Sequence, residues 1–165
     1  MIQRMQAPKV WRNFWHFLAF GFGTGLAKKA PGTWGTLAGL ALMPLLHMLP
    51  LWLAMTCIAL ASVFGFWLCG RVADELGVHD HGGIVWDEMV GIWMTLILLP
   101  NTWQWWLLGF VLFRILDILK PWPISLLDRN VGGGLGIMLD DMLAGLIAAG
   151  LLYALWLADF AWLAS

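Results

Sequence analysis

Three long stretches of the chain, residues 31–70, 89–113 and 142–158, contain no Asp, Glu, Lys or Arg. If they lie in a bilayer as hairpin, hairpin and single span, the segments between them share one membrane face. All nine Lys and Arg fall in those segments, and so does every acidic residue except Asp159. One aqueous face then gathers carboxylates, histidines and bases, while the opposite face is nearly bare. The pattern predicts a polar site open to one compartment and carried on a membrane anchor.

Composition agrees. The chain is 61% hydrophobic and 12% charged, against about 45–50% and about 25% for a soluble domain, so it has too few charges to cover a soluble surface. Its 165 residues suit one domain. A net charge of −1 offers nothing to nucleic acid. Trp11, Trp15, Trp103, Trp105 and Trp106 lie near the ends of apolar runs, where indole rings favour the membrane interface. Cys57 and Cys69 sit inside one apolar run and read as small buried hydrophobes, not as a disulfide framework or metal site.

Residues 51–70 are enough, as a helix, to cross a hydrocarbon core of about 30 Å. The shorter 36–49 precedes them, and Pro50 turns the pair into a hairpin. The second run has a Pro100-Asn101 turn in its middle and is too short for two spans. Its helices are therefore expected at about 84–99 and 102–119, which puts Asp87, Glu88, Arg114 and Asp117 on helices, facing protein or a wet cavity. A fifth helix covers 142–158 and starts near Ile137. Residues 14–22, preceded by Arg4, Lys9 and Arg12, read as an N-terminal interfacial helix; His16 and the aromatics argue against a signal peptide. The expected fold is all-α, an integral membrane bundle of about five apolar helices plus that interfacial helix. The positive-inside rule makes the basic, N-terminal side cytoplasmic and puts His47 and Asp159 near the other face.

Two segments echo each other. Gly83-Ile84-Val85-Trp86-Asp87-Glu88-Met89 and Gly136-Ile137-Met138-Leu139-Asp140-Asp141-Met142 share a Gly, an apolar triplet, twin carboxylates and an apolar helix. Gly91 and Gly145 follow at spacings that differ by one. Chance convergence is the alternative; a true echo puts two acidic pairs at the same end of two parallel helices.

The twin acids are expected in the first turns of their helices. The helix dipole accounts for one carboxylate per helix but not for two flanked by apolar residues. Asp87, Glu88, Asp140 and Asp141 gathered at one surface repel unless neutralised. A hard divalent cation does this with oxygen ligands, and Mg²⁺ is the usual ion beside phosphates. His79-Asp80-His81, between Gly77 and Gly82, is either a solvated loop or a group that ligates metal or moves protons near neutral pH. Arg114 and Asp117 share a helical face, as a structural ion pair or as part of a site. Lys120, where Pro121 stops the helix, and Arg129, next to Asp128, add cations beside the acids, as a phosphoester substrate requires. Pro31-Gly32-Thr33-Trp34-Gly35-Thr36 opens the first apolar helix, as a plain turn or as a phosphate-binding helix N-terminus. Gly132-Gly133-Gly134-Leu135-Gly136 reads as a flexible lead-in to the last helix. No Asp-x-Asp occurs and no Cys is followed by Arg at the phosphatase-loop spacing. Aspartyl-phosphate and cysteinyl-phosphate chemistry are thereby disfavoured, and so is the CDP-alcohol phosphotransferase pattern. Direct attack by metal-activated water is left.

At these residues the chain resembles the bacterial phosphatidylglycerophosphatase A family. The resemblance rests on Pro31-Gly32-Thr33-x-Gly35-Thr36, Gly77-Val78-His79-Asp80-His81, Ile84-Val85-Trp86-Asp87-Glu88, Arg114-x-x-Asp117-x-x-Lys120-Pro121-Trp122-Pro123-Ile124 and Gly136-Ile137-Met138-x-Asp140-Asp141, and spans roughly residues 14–153. Lys28-Lys29 departs from it, standing where a small residue and Pro are expected. The resemblance implies an all-helical, Mg²⁺-dependent phosphatase of the inner membrane. Its substrate would be phosphatidylglycerophosphate, cut to phosphatidylglycerol on the cytoplasmic face. Carried onto this chain, the candidate metal ligands are Asp87, Glu88, Asp140 and Asp141. The candidate phosphate-binding residues are Thr33, Thr36, Arg114, Lys120 and Arg129, and the candidate catalytic residues are His79, Asp80, His81, Asp117 and Asp128. Two other classes compete: a small ion or metal transporter, which needs polar residues reaching both faces, and a non-catalytic headgroup-binding membrane protein, which needs no cation. Oligomeric state is left open.

Overall fold

An 11-residue helix, α4 (Trp86–Leu96), lies at the centre of the molecule with nearly every side chain buried. The structure, a computed structural model, describes residues 8–78 and 81–163, with side chains up to Ala158. His79 and Asp80 therefore lie outside the described residues, as do Arg4 and the Asp159 side chain. Six other α-helices accompany α4 among the described residues: α1 (Phe14–Ala19), α2 (Pro31–His47), α3 (Leu51–Leu76), α5 (Trp103–Leu119), α6 (Ile124–Asn130) and α7 (Gly133–Leu163). A 3-10 segment, Gly21–Leu26, follows α1. The protein is all-α, with no strand among the described residues.

The local chemistry sets these bounds. Asn13 caps α1, its side chain accepting from the Trp15 N–H at 2.9 Å. Positive φ at Gly21, Phe22 and Gly23 then breaks the path, so the helix expected over 14–22 ends at Ala19. Pro31 occupies the first position of α2, where a missing N–H costs nothing, and helix begins there instead of at Thr36. The third helix continues past Gly70, where its apolar run ends, through a polar last stretch carrying Arg71 and Glu75; Gly77, with φ +70°, stops it. Lys120 caps α5 in the left-handed conformation, and Pro121 follows. The helix α6 is a difference from expectation; seven residues are too few for a periodic apolar pattern to appear.

Two helices, Leu51–Leu76 and Gly133–Ala158, are long and apolar enough to cross a membrane. Their length and composition are compatible with membrane association. Helices occupy all five apolar regions, but α2 and α5 have 17 residues each and α4 only 11; α4 rises about 16 Å, half of a bilayer core. It is held inside a sheath of α2, α3, α5 and α7. Trp86 Nε1 donates to Ala61 O at 3.1 Å and Trp93 Nε1 donates to Gly39 O at 2.8 Å, pinning α4 to α3 and to α2. Phe20, Met43, Leu68, Leu76, Met89, Ile92, Leu96, Phe113 and Met138 fill the surrounding core.

The glycine-rich stretch before the last helix is not a flexible lead-in. From Gly133 onward it is the first turn of α7, packed on α3. A side-chain carbon at Gly134 would strike Phe66 O and lie 2.6 Å from Gly70 N. Glycine at position 134 serves close backbone approach here.

Candidate active site

The end of α4 that carries Asp87 and Glu88 is fixed from outside the helix. Val85 N donates to Ala19 O at 2.8 Å, which ties the preceding loop to the end of α1. Asp87 and Glu88 then fall in the first turn, as expected. Asp140 and Asp141 do not: α7 begins at Gly133, so they lie about two turns in, beyond reach of dipole stabilisation. Asp141 still meets the α4 pair. One carboxylate oxygen from each of Asp87, Glu88 and Asp141 lies within 4.8 Å of the other two. Asp87 and Asp141 are 8% and 3% exposed. Asp87 Oδ1, Glu88 Oε2 and Asp141 Oδ2 are buried with no hydrogen-bond partner. Buried carboxylates without partners are costly. Hard oxygen donors grouped in this way suit a hard divalent cation, and the donor set therefore fits Mg²⁺.

Asp140 takes another direction. Lys120 Nζ is bonded to Asp140 and to Asp128, linking the end of α5 to α7 and α6. Burial opposes charge on Lys120, but the two carboxylates overcome it and hold the ammonium well above the ordinary lysine range. Asp140 Oδ1 is left buried without a partner, so one oxygen of this residue is still available beside the cluster.

The second cation is Arg114. It is bonded to Asp117, lies 3.8 Å from Glu88 Oε1 and approaches Thr36 Oγ1 at 3.5 Å. Asp117 also neighbours Asp141. Thr36 Oγ1 itself donates to Gly32 O at 2.8 Å, so α2 brings its first turns to the site. A side-chain carbon at Gly32 would strike Glu88 Oε1 and lie 3.1 Å from both Arg114 terminal nitrogens. The residue type at 32 is thus dictated by the site, a role that neither a plain turn nor a phosphate-binding helix N-terminus predicts. Thr33 is half-buried in the same first turn, with its N–H bonded to Ala30 O at 3.0 Å.

The remaining candidates are spread around this centre. His81 accepts from the Gly83 N–H at Nδ1, 3.0 Å, and its ring packs on Phe20. Asp128 is exposed and reaches the site through Lys120. Arg129 is exposed on α6 and makes no ion pair among the described residues. A further polar cluster was not anticipated. Glu75 binds His16 at 3.0 Å, Asn13 at 3.2 Å and Arg71 at 2.9 Å, and so clamps α1 to the end of α3. The Arg71/Glu75 spacing of four was its only visible signal.

Comparison with known proteins completes the assignment. The sequence model of the phosphatidylglycerophosphatase A family matches residues 17–156. Phosphatidylglycerophosphatase A of Escherichia coli strain K12 is 54% identical over 142 residues, 86% of this chain and 83% of that protein. Phosphatidylglycerophosphatase A of Haemophilus influenzae is 47% identical over 142 residues, 85% and 87% of the two chains. A Bacteroides thetaiotaomicron protein, provisionally named a phosphatidylinositol-3-phosphatase, is 38% identical over 133 residues, 76% and 82% of the two chains. No solved structure matches. With the match running through almost all of the helical part, the chain belongs to the phosphatidylglycerophosphatase A family.

Proposed function

We propose that the protein is a membrane-embedded lipid phosphatase that hydrolyses the terminal phosphate monoester of phosphatidylglycerophosphate, leaving phosphatidylglycerol. One observation carries the proposal: three buried carboxylates from two helices converge within 4.8 Å with oxygens left unpartnered. Asp87, Glu88 and Asp141 would hold Mg²⁺, with Asp140 beside them. The cation supplies charge neutralisation and Lewis-acid activation of water.

The chain's own residues do the rest. Arg114, oriented by Asp117 and Glu88, and Lys120, held by Asp128 and Asp140, meet the charge on the phosphate oxygens. The first turns of α2, with Gly32 and Thr36 against Arg114, close the site on a third side. Nδ1 of His81 is occupied by the Gly83 N–H, so the neutral ring keeps its proton on Nε2. That N–H donates a hydrogen bond to the glycerol oxygen, which takes up the proton given off by the attacking water as its bond to phosphorus breaks. Apolar surface on α3 and α7 faces lipid, and the bases on the site's side support a cytoplasmic orientation in the bacterial inner membrane.

Phosphate release from phosphatidylglycerophosphate in detergent with Mg²⁺ tests this. Asp87→Asn, Asp141→Asn and Lys120→Ala are each expected to lose roughly a hundredfold or more in turnover. Near-normal release from all three would end the proposal. Faster release from phosphatidylinositol-3-phosphate than from phosphatidylglycerophosphate would keep the chemistry and change the substrate.

A further inference from the structure

α4 and α7 approach closely one turn beyond Asp87 and Asp141. A side-chain carbon at Gly145 would lie 2.5 Å from Gly91 O and 3.2 Å from Gly91 Cα. One at Gly91 would lie 3.1 Å from Asp141 O. The two main chains are therefore in contact with no side chain between them. Gly91 follows Asp87 by four residues and Gly145 follows Asp141 by four, so each glycine shares a helical face with its carboxylate. This register explains why the echoed spacings differ by one: Asp141, and not Asp140, is the counterpart of Asp87.

Thr95 stands one turn further along the same face of α4 and is fully buried. Its hydroxyl lies 2.9 Å from Gly91 O and 3.3 Å from Gly145 O. The first contact is the bond a helical Thr makes to its own preceding turn. The second reaches across to α7. A single hydroxyl proton is thus shared between the carbonyls of the two glycines at the crossing.

We propose that Thr95 is a positioning residue: with Gly91 and Gly145 it fixes the register of α4 on α7, and so the distance from Asp87 and Glu88 to Asp141. This rests on the reading that those three carboxylates share a divalent cation. Thr95→Val removes the proton at nearly constant volume, and Thr95→Ser keeps it.

The test is Mn²⁺ titration of the purified full chain in detergent, followed by electron paramagnetic resonance without lipid, since Mn²⁺ suits carboxylate sites. Thr95→Val is expected to weaken Mn²⁺ binding about tenfold, as loss of a ligand-orienting contact does. Its half-saturating lipid concentration in the phosphatase assay stays at the wild-type value, and Thr95→Ser binds Mn²⁺ like wild type. Gly145→Ala, which forces the main chains apart, weakens binding at least as much as Thr95→Val. Unchanged affinity in Thr95→Val overturns the positioning role and leaves the shared cation standing. A Thr95→Ser defect equal to that of Thr95→Val also overturns it, because packing alone would then be responsible. Absence of Mn²⁺ binding by the wild type overturns both.

Discussion

Gly32 shows how tightly the site is built. No side chain fits at this position without displacing Glu88 or Arg114. Gly32→Ala is therefore expected to cut phosphate release by roughly tenfold to a hundredfold, the scale of a misplaced reacting group, while helicity by circular dichroism stays unchanged. Normal turnover would mean that Glu88 and Arg114 do not need their present places. The acidic residues themselves were legible in the sequence, because twin carboxylates amid apolar neighbours have few other uses. Their division of labour was not. Adjacent helical residues point about 100° apart, so Asp140 and Asp141 cannot serve one point equally, and only the helix register decides that Asp141 joins Asp87 while Asp140 meets Lys120. Gly32 reads in the sequence as part of a plain turn or a phosphate-binding helix N-terminus, since nothing local announces that a carboxylate from another helix will lie against it.

At the scale of the element, the apolar runs marked the helices, and the prolines and glycines marked most of their ends. Pro50, Pro100 and Pro121 fall at turns as expected. The errors occurred where glycine carried two meanings. A run of glycines before an apolar helix looks like a hinge, yet Gly134 is helical because α3 passes too close for a side chain. Gly134→Ala should then act as an overpacking change, destabilising the protein by about 1–3 kcal/mol. Thermal unfolding in detergent measures this; an unchanged midpoint would restore the hinge. The shortness of α4 was hidden for a related reason. Its flanks at 84–85 and 97–99 are as apolar as the helix, so hydropathy did not mark where helical hydrogen bonding stops.

For the whole molecule, the one-sided distribution of charge was the strongest signal and also the least dependent on detail. It predicts where reagents can reach. Arg129, exposed on α6, stands just before α7, whose start packs at Gly70 late in α3, whereas Met48, exposed at the α2–α3 turn, stands at the start of α3. In a background lacking Cys57 and Cys69, a cysteine placed by Arg129→Cys is expected to react with an impermeant maleimide in inverted vesicles but not in intact spheroplasts. Met48→Cys should show the reverse. Labelling of both from one side would remove the membrane-spanning arrangement and the cytoplasmic assignment together.

The sheathing of α4 has a consequence for biosynthesis. A helix of this length, with two acids in its first turn, has no stable place in lipid by itself and needs its neighbours to shelter it. Asp141 arrives on α7, after the other helices of the described residues. On the proposed function, a nascent chain would hold Asp87 and Glu88 without Asp141 until α7 docks, and hydrolysis would begin only with the assembled protein.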